Sequence, residues 1–100
     1  MNINFEYHGV SASNRLEILA ASKLAKLEDK YDFIVNVDVY FKKENTSTVE
    51  TGKICSVRIN TPGPTLFAEA SKAEFEQSIG AVMEDLRRQL QKRKDKMKAH

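Results

Sequence analysis

The sequence is short of the residues that metal, redox and secretory chemistry require. Cys55 is the single cysteine among 100 residues, so no disulfide can form within the chain. With His8 and His100 isolated from it and from each other, no zinc ligand set is available. No run approaches the roughly 18 consecutive apolar residues that span a bilayer, and the opening MNINFEYHGV lacks the basic-then-apolar layout of a signal peptide. These absences predict a cytoplasmic protein that does not engage a membrane, and they leave the sequon Asn45-Thr46-Ser47 without weight. Phosphate-binding glycine loops, dinucleotide fingerprints and paired carboxylates at recognisable spacing are missing as well. Catalysis therefore has no visible basis, and the expectation is a non-enzyme with no cofactor, no metal and no small-molecule substrate.

Charge is abundant and unevenly placed. Residues 1–85 carry nine Lys and Arg against thirteen Asp and Glu, a net −4, whereas residues 86–100 carry seven against one, a net +6; the overall +2 conceals the split. An acidic body with a basic end points to a polyanionic partner. At this length, with 41% hydrophobic residues, the chain holds one compact core, so residues 1–100 are expected to form one domain.

Periodicity supplies the elements. Ile3, Phe5 and Tyr7 alternate with polar residues as a strand with one buried face, closed by Gly9. From the N-cap Ser13, the positions Leu16, Leu19, Ala20, Leu24, Leu27 and Tyr31 predict an amphipathic helix of about 18 residues, ending near Asp32. Val35, Val37, Val39 and Phe41 read as a second half-buried strand, residues 44–52 as a hairpin loop, and Cys55, Val57 and Ile59 as the inward side of a third strand. Pro62, Gly63 and Pro64 can only be a turn, because the prolines remove ladder donors. A fourth strand over residues 65–71 places Leu66, Ala68 and Ala70 on one face.

The last helix starts near Ala73 or Glu74, carries the stripe Phe75, Ile79, Val82, Met83, Leu86 and Leu90, and runs to about Met97, roughly 36 Å at 1.5 Å per residue. Gly80 is its weak point, at about 1 kcal/mol relative to alanine. The order β-α-β-β-β-α, with one apolar face per element, predicts an α+β two-layer sandwich: a four-stranded mixed sheet with both helices on one face. Cys55 is then a buried, inert thiol. Phe5, Tyr7, Phe41, Phe67 and Phe75 are expected to pack rather than to stack on bases.

On a helical wheel the basic residues of the last helix form two rows flanking the apolar stripe. Arg88, Lys92 and Lys96 make one; Arg87, Lys94 and Lys98 make the other. Compensation of the helix dipole would account for one or two such cations. Seven against Asp95 alone exceed it, and spacing of one turn suits successive phosphates. The final two turns, beyond Leu90, are expected to project past the sheet. In the first helix Arg15, Lys23, Lys26 and Lys30 lie along one edge of the apolar face, with Glu17 and Glu28 on the other side. If the basic edge faces the last helix, the pair frames a positive groove.

The segment KLAKLEDKYDFI, residues 23–34, and above all the pattern L-x-R-Q-L-x-K-x-K-D-K-x-K from Leu86 to Lys98 resemble the ribosome hibernation promoting factor and ribosome-associated inhibitor family, also labelled sigma-54 modulation proteins. The resemblance covers almost the whole chain and looks like a short form, without the second domain of the long members. It implies a fold similar to double-stranded-RNA-binding domains. It also implies a stress-response factor that binds rRNA of the small ribosomal subunit at the decoding region, where mRNA and tRNA would sit, and so inhibits translation. Lys23, Lys26, Arg88, Lys92, Lys94 and Lys96 occupy the family's basic positions, each as a phosphate-facing cation; Arg15, Lys30, Arg87, Arg93 and Lys98 are further candidates. Glu76 and Gly80 depart from the family's usual run at the start of the last helix.

Two other functions fit the same basic surface. One is a general double-stranded RNA-binding module. The other is a small RNA-processing enzyme, which would have to draw on Glu84, Asp85 or Asp95, more simply read as charge partners for neighbouring cations.

Overall fold

A computed structural model describes residues 1–98; the isolated histidine at position 100 lies outside them. The strands are β1 (Asn2–His8), β2 (Asn36–Lys43), β3 (Lys53–Asn60) and β4 (Leu66–Lys72), with the helices α1 (Asn14–Lys30) and α2 (Phe75–Lys98). The sheet order is β1-β2-β3-β4. β1 and β2, separated by α1, pair in parallel, while the hairpin neighbours pair antiparallel. This is the mixed four-stranded sheet expected from the element order.

The register aligns Phe5 with Val39, Val57 and Ala68, and Tyr7 with Phe41, Cys55 and Ala70, on a single face. Leu16, Ala20, Leu24 and Leu27 of α1 and Ile79, Val82, Met83, Leu86 and Leu90 of α2 complete one core against that face. Phe41 is its aromatic centre, with Tyr7 stacked at 5.4 Å and Phe75 edge-on at 5.6 Å between centroids. Cys55 is fully buried, and desolvation pushes its thiol up to about 12. The thiolate that reacts is therefore scarce as well as shielded.

Helix boundaries follow local chemistry. The Ser13 hydroxyl accepts from the Leu16 N–H at 3.2 Å, and the Tyr31 N–H donates to the Leu27 carbonyl at 2.8 Å, closing α1 slightly earlier than the periodicity suggested. At the start of α2, the Gln77 side chain accepts from the Glu74 N–H at 3.2 Å. Ser78 is buried on the core side of α2, and its hydroxyl donates to the Lys53 carbonyl, tying the helix to β3.

Two apolar side chains are more exposed than the periodicity suggested. Val35 is 53% exposed and precedes β2; its N–H donates to the Asn60 carbonyl at 2.9 Å, which fixes the backbone without burying the side chain. Phe67 is also 53% exposed. Leu66, Ala68 and Ala70 take the covered face of β4, so alternation sends Phe67 to the uncovered face, in register with Arg58.

Gly80 lies inside α2 with a helical backbone, and a Cβ built there meets nothing within 4 Å. Gly80→Ala should therefore stabilise the protein by about 1 kcal/mol. Thermal melting should show this as a rise of about 4–8 °C; an unchanged or lower midpoint would mean that the glycine serves a packing role.

Candidate nucleic-acid interface

The two helices run side by side in the same direction, as shown by the pairs they share. Near their N-termini Arg15 and Glu76 form an ion pair. Near their C-terminal ends the Tyr31 hydroxyl donates to the Gln91 side-chain oxygen at 2.8 Å. The basic edge of α1 therefore does face α2. Between these ends lies a groove of about 260 Å³ lined by Lys23 and Lys26 from α1 and by Gly80, Glu84 and Arg87 from α2, with Leu27 and Met83 below.

Glu17 and Glu28 lie on the opposite side of α1, where each has a partner. The Tyr7 hydroxyl donates to Glu17 at 2.6 Å, and burial followed by that bond raises the phenol above its usual range. The chain's amino terminus sits 3.4 Å from Glu28. Segregation of charge on α1 thus separates carboxylates that hold β1 from cations that face the groove.

Within the groove Glu84 bridges two cations of its own helix. Arg87 donates to it through Nε at 3.1 Å and Nη2 at 2.7 Å, and Arg88 Nη1 approaches to 3.7 Å. The Arg87 hydrogen bond holds the Glu84 carboxyl below its ordinary range, and Glu84 in turn raises Arg87. At the other end a backbone hydrogen bond, and then Arg15, lower Glu76. Arg15 thus already has a carboxylate partner across the helix pair. Lys23 and Lys26 form no ion pair among the described residues.

The helix C-terminal ends meet at Tyr31, which is fully buried. The Lys30 and Lys94 ammonium groups lie 5.5 and 5.6 Å from its ring centroid, a cation–π arrangement. Lys94 Nζ also donates to the Lys30 carbonyl at 3.4 Å. On the far side of α2, Arg93 Nη2 donates to the Pro62 carbonyl at 3.3 Å. The expected two-turn projection is therefore shorter. Arg93 and Lys94 fasten the helix to the body, and the continuously exposed stretch begins at Asp95.

The basic rows consequently point in different directions. Arg87 and Lys94 face α1. Lys92 and Lys96 border a second groove beside the residue 61–64 turn, and Arg88 is exposed. Lys98, at the last described position, is exposed on α2. Tyr31 and Gln91 were not among the residues expected at the site, because a contact across 60 positions has no local signature. Among the described residues, Glu84 is the one of the three carboxylates expected to pair with cations that does so. Asp85 accepts from Gln89 at 3.2 Å and Asp95 from Gln91 at 3.0 Å, since glutamine four residues away reaches each on the helix surface.

Residues 3–98 match a family model described as sigma 54 modulation protein / S30EA ribosomal protein. Ribosome hibernation promoting factors of Klebsiella oxytoca and of Escherichia coli (strain K12) are 28% and 29% identical over 100 residues, with the whole of both chains covered in each case. A ribosomal subunit interface protein from Coxiella burnetii matches with a TM-score of 0.81 at 27% identity, over 95% of this chain and 99% of that one. The N-terminal domain of Thermus thermophilus Protein Y shares the fold at 17% identity, with a TM-score of 0.75 over 92% of this chain and 98% of that one.

Proposed function

The chain belongs to the sigma 54 modulation protein / S30EA ribosomal protein family, and from that premise we propose that it is a ribosome hibernation factor which silences translation by binding rRNA of the small subunit at the decoding region. The observation that carries this is the convergence of Lys23 and Lys26 with Arg87 on one groove between parallel helices. Two helices thereby offer cations to one polyanion along a line that continues through Lys30 and Lys94. Phosphates of a folded RNA backbone fit such a line, because it demands charge at intervals and no particular base. Arg88, Lys92, Lys96 and Lys98 extend the contact along α2, and Arg15 shares its charge with Glu76.

The protein acts by occupancy: it fills the path of mRNA and tRNA and consumes nothing. Sedimentation through a gradient tests this directly. The protein should travel with purified small subunits and not with free duplex RNA of equal phosphate concentration, and initiator tRNA should displace it. Simultaneous binding of protein and P-site tRNA, with no loss of affinity for either, would overturn the mechanism. Equal binding to free duplex would instead favour a general double-stranded RNA module.

A further inference from the structure

The second groove, on the β4 side of α2, differs in chemistry from the one between the helices. It measures about 220 Å³ and is lined by Pro64, Leu66, Gln89, Lys92, Arg93 and Lys96. Pro64 and Leu66 make an apolar wall, and Lys92 and Lys96, one helical turn apart, make a cationic rim. The turn is held in place by α2 itself. Gly63 has φ +117°, and a Cβ there would stand 2.7 Å from Arg93 Nη2, so glycine lets the guanidinium close over the turn and reach the Pro62 carbonyl. The Thr61 hydroxyl donates to the Pro64 carbonyl at 2.7 Å, which fixes the second proline.

Gln89 is the polar group in this wall. Its Nε2 is spent on the Phe67 carbonyl at 2.9 Å and on Asp85 at 3.2 Å. Those bonds orient the amide and leave Oε1 as an acceptor that no donor among the described residues occupies.

We infer that this groove takes one unpaired nucleobase of the bound RNA, stacked on Pro64 and Leu66, its amino group donating to Gln89 Oε1 and its flanking phosphates on Lys92 and Lys96. The assignment rests on the RNA-binding function proposed above and adds a base-contacting subsite to it. A duplex cannot fill the groove, since its base faces are covered by their neighbours. An acidic peptide would satisfy the two lysines but would leave the apolar wall bare and set a carboxylate against the Gln89 acceptor. The flat face, amine and paired phosphates of an unpaired nucleotide meet all three features at once.

Dimethyl sulfate probing of purified small subunits saturated with the protein reads the contact at adenine and cytosine. The wild-type protein should shield at least one unpaired base. Leu66→Asn should uncover that base and weaken subunit binding about tenfold. Because Leu66 also touches the core, Pro64→Ser, at an exposed ring, is the parallel variant and should uncover the same base. Reversal of Lys23 and Lys26 should weaken binding yet leave that base shielded once the subunit is saturated. Shielding that survives both groove variants would overturn the assignment. So would a loss of affinity that uncovers no base, which would point to a protein contact. Failure of the wild-type protein to bind subunits at all would instead remove the RNA-binding function on which the assignment stands.

Discussion

Lys23→Glu combined with Lys26→Glu should weaken binding to the small ribosomal subunit by about a hundredfold at moderate salt. The same reversal at Lys42 and Lys43 should change it little. Lys23 and Lys26 are free of ion pairs among the described residues and line the groove opposite Arg87, so their replacement would remove the two phosphate contacts proposed for them and add two repulsions without breaking a bond among the described residues. Lys42 is paired with Glu44 at 3.8 Å, and both control lysines lie at the end of β2 away from the meeting point of the helix C-termini. Salt gives a second readout. With about six phosphates engaged, the log-log slope of affinity against salt should be about −4 to −5, and it should flatten by roughly two in the groove variant. Equal effects of the two double reversals, or a wild-type slope near zero, would exclude the groove as the phosphate site.

Tyr31→Ala should cost about 3–5 kcal/mol of folding stability, by analogy with other large aromatic truncations in cores. That is a large share of the roughly 5–15 kcal/mol available to a small domain. The ring is fully buried and packs edge-on to Phe33 at 6.1 Å; its hydroxyl holds Gln91, and the Lys30 and Lys94 ammonium groups lie close to it. Tyr31→Phe keeps the ring and both cation contacts and loses one hydrogen bond, so about 1 kcal/mol is expected. Urea denaturation of the three proteins gives the comparison. A cost for alanine no greater than that for phenylalanine would show that the ring does not anchor the helix ends.

Those two predictions draw on different kinds of information, and the difference explains what could be read in the chain. The periods of two and three-to-four residues made every strand and both helices legible, because burial of one face imposes them on the sequence. The same logic placed Lys23 and Lys26 on one edge of α1 and Glu17 and Glu28 on the other. It did not say that Glu17 would hold Tyr7. Nor did it show that Tyr31 would join Gln91 and Lys94, or that Gly63 would make room for Arg93. Such contacts span 10 to 63 positions and depend on how the helices lie across the sheet. Phe67 is exposed for a simpler reason. Aromatic residues usually pack, and here strand alternation outranked that preference. For the basic rows, the wheel gave their angular separation, while only the packed structure distinguished the side facing α1 from the side facing the residue 61–64 turn.

The ion pair between Glu84 and Arg87 gives the groove a threshold of valency. A free phosphate, or any small anion, that takes the Nε–Nη2 edge of Arg87 must displace a carboxylate already bound through two hydrogen bonds, and it gains little more there than it removes. A polymer with many linked phosphates reaches Lys23 and Lys26 in the same encounter, so each further contact is made at high effective concentration once the first has formed. On the proposed reading, monovalent anions would hold the groove only weakly and a long phosphate backbone would fill it. Glu84→Gln would lower that threshold, exchanging discrimination for indiscriminate capture of small anions.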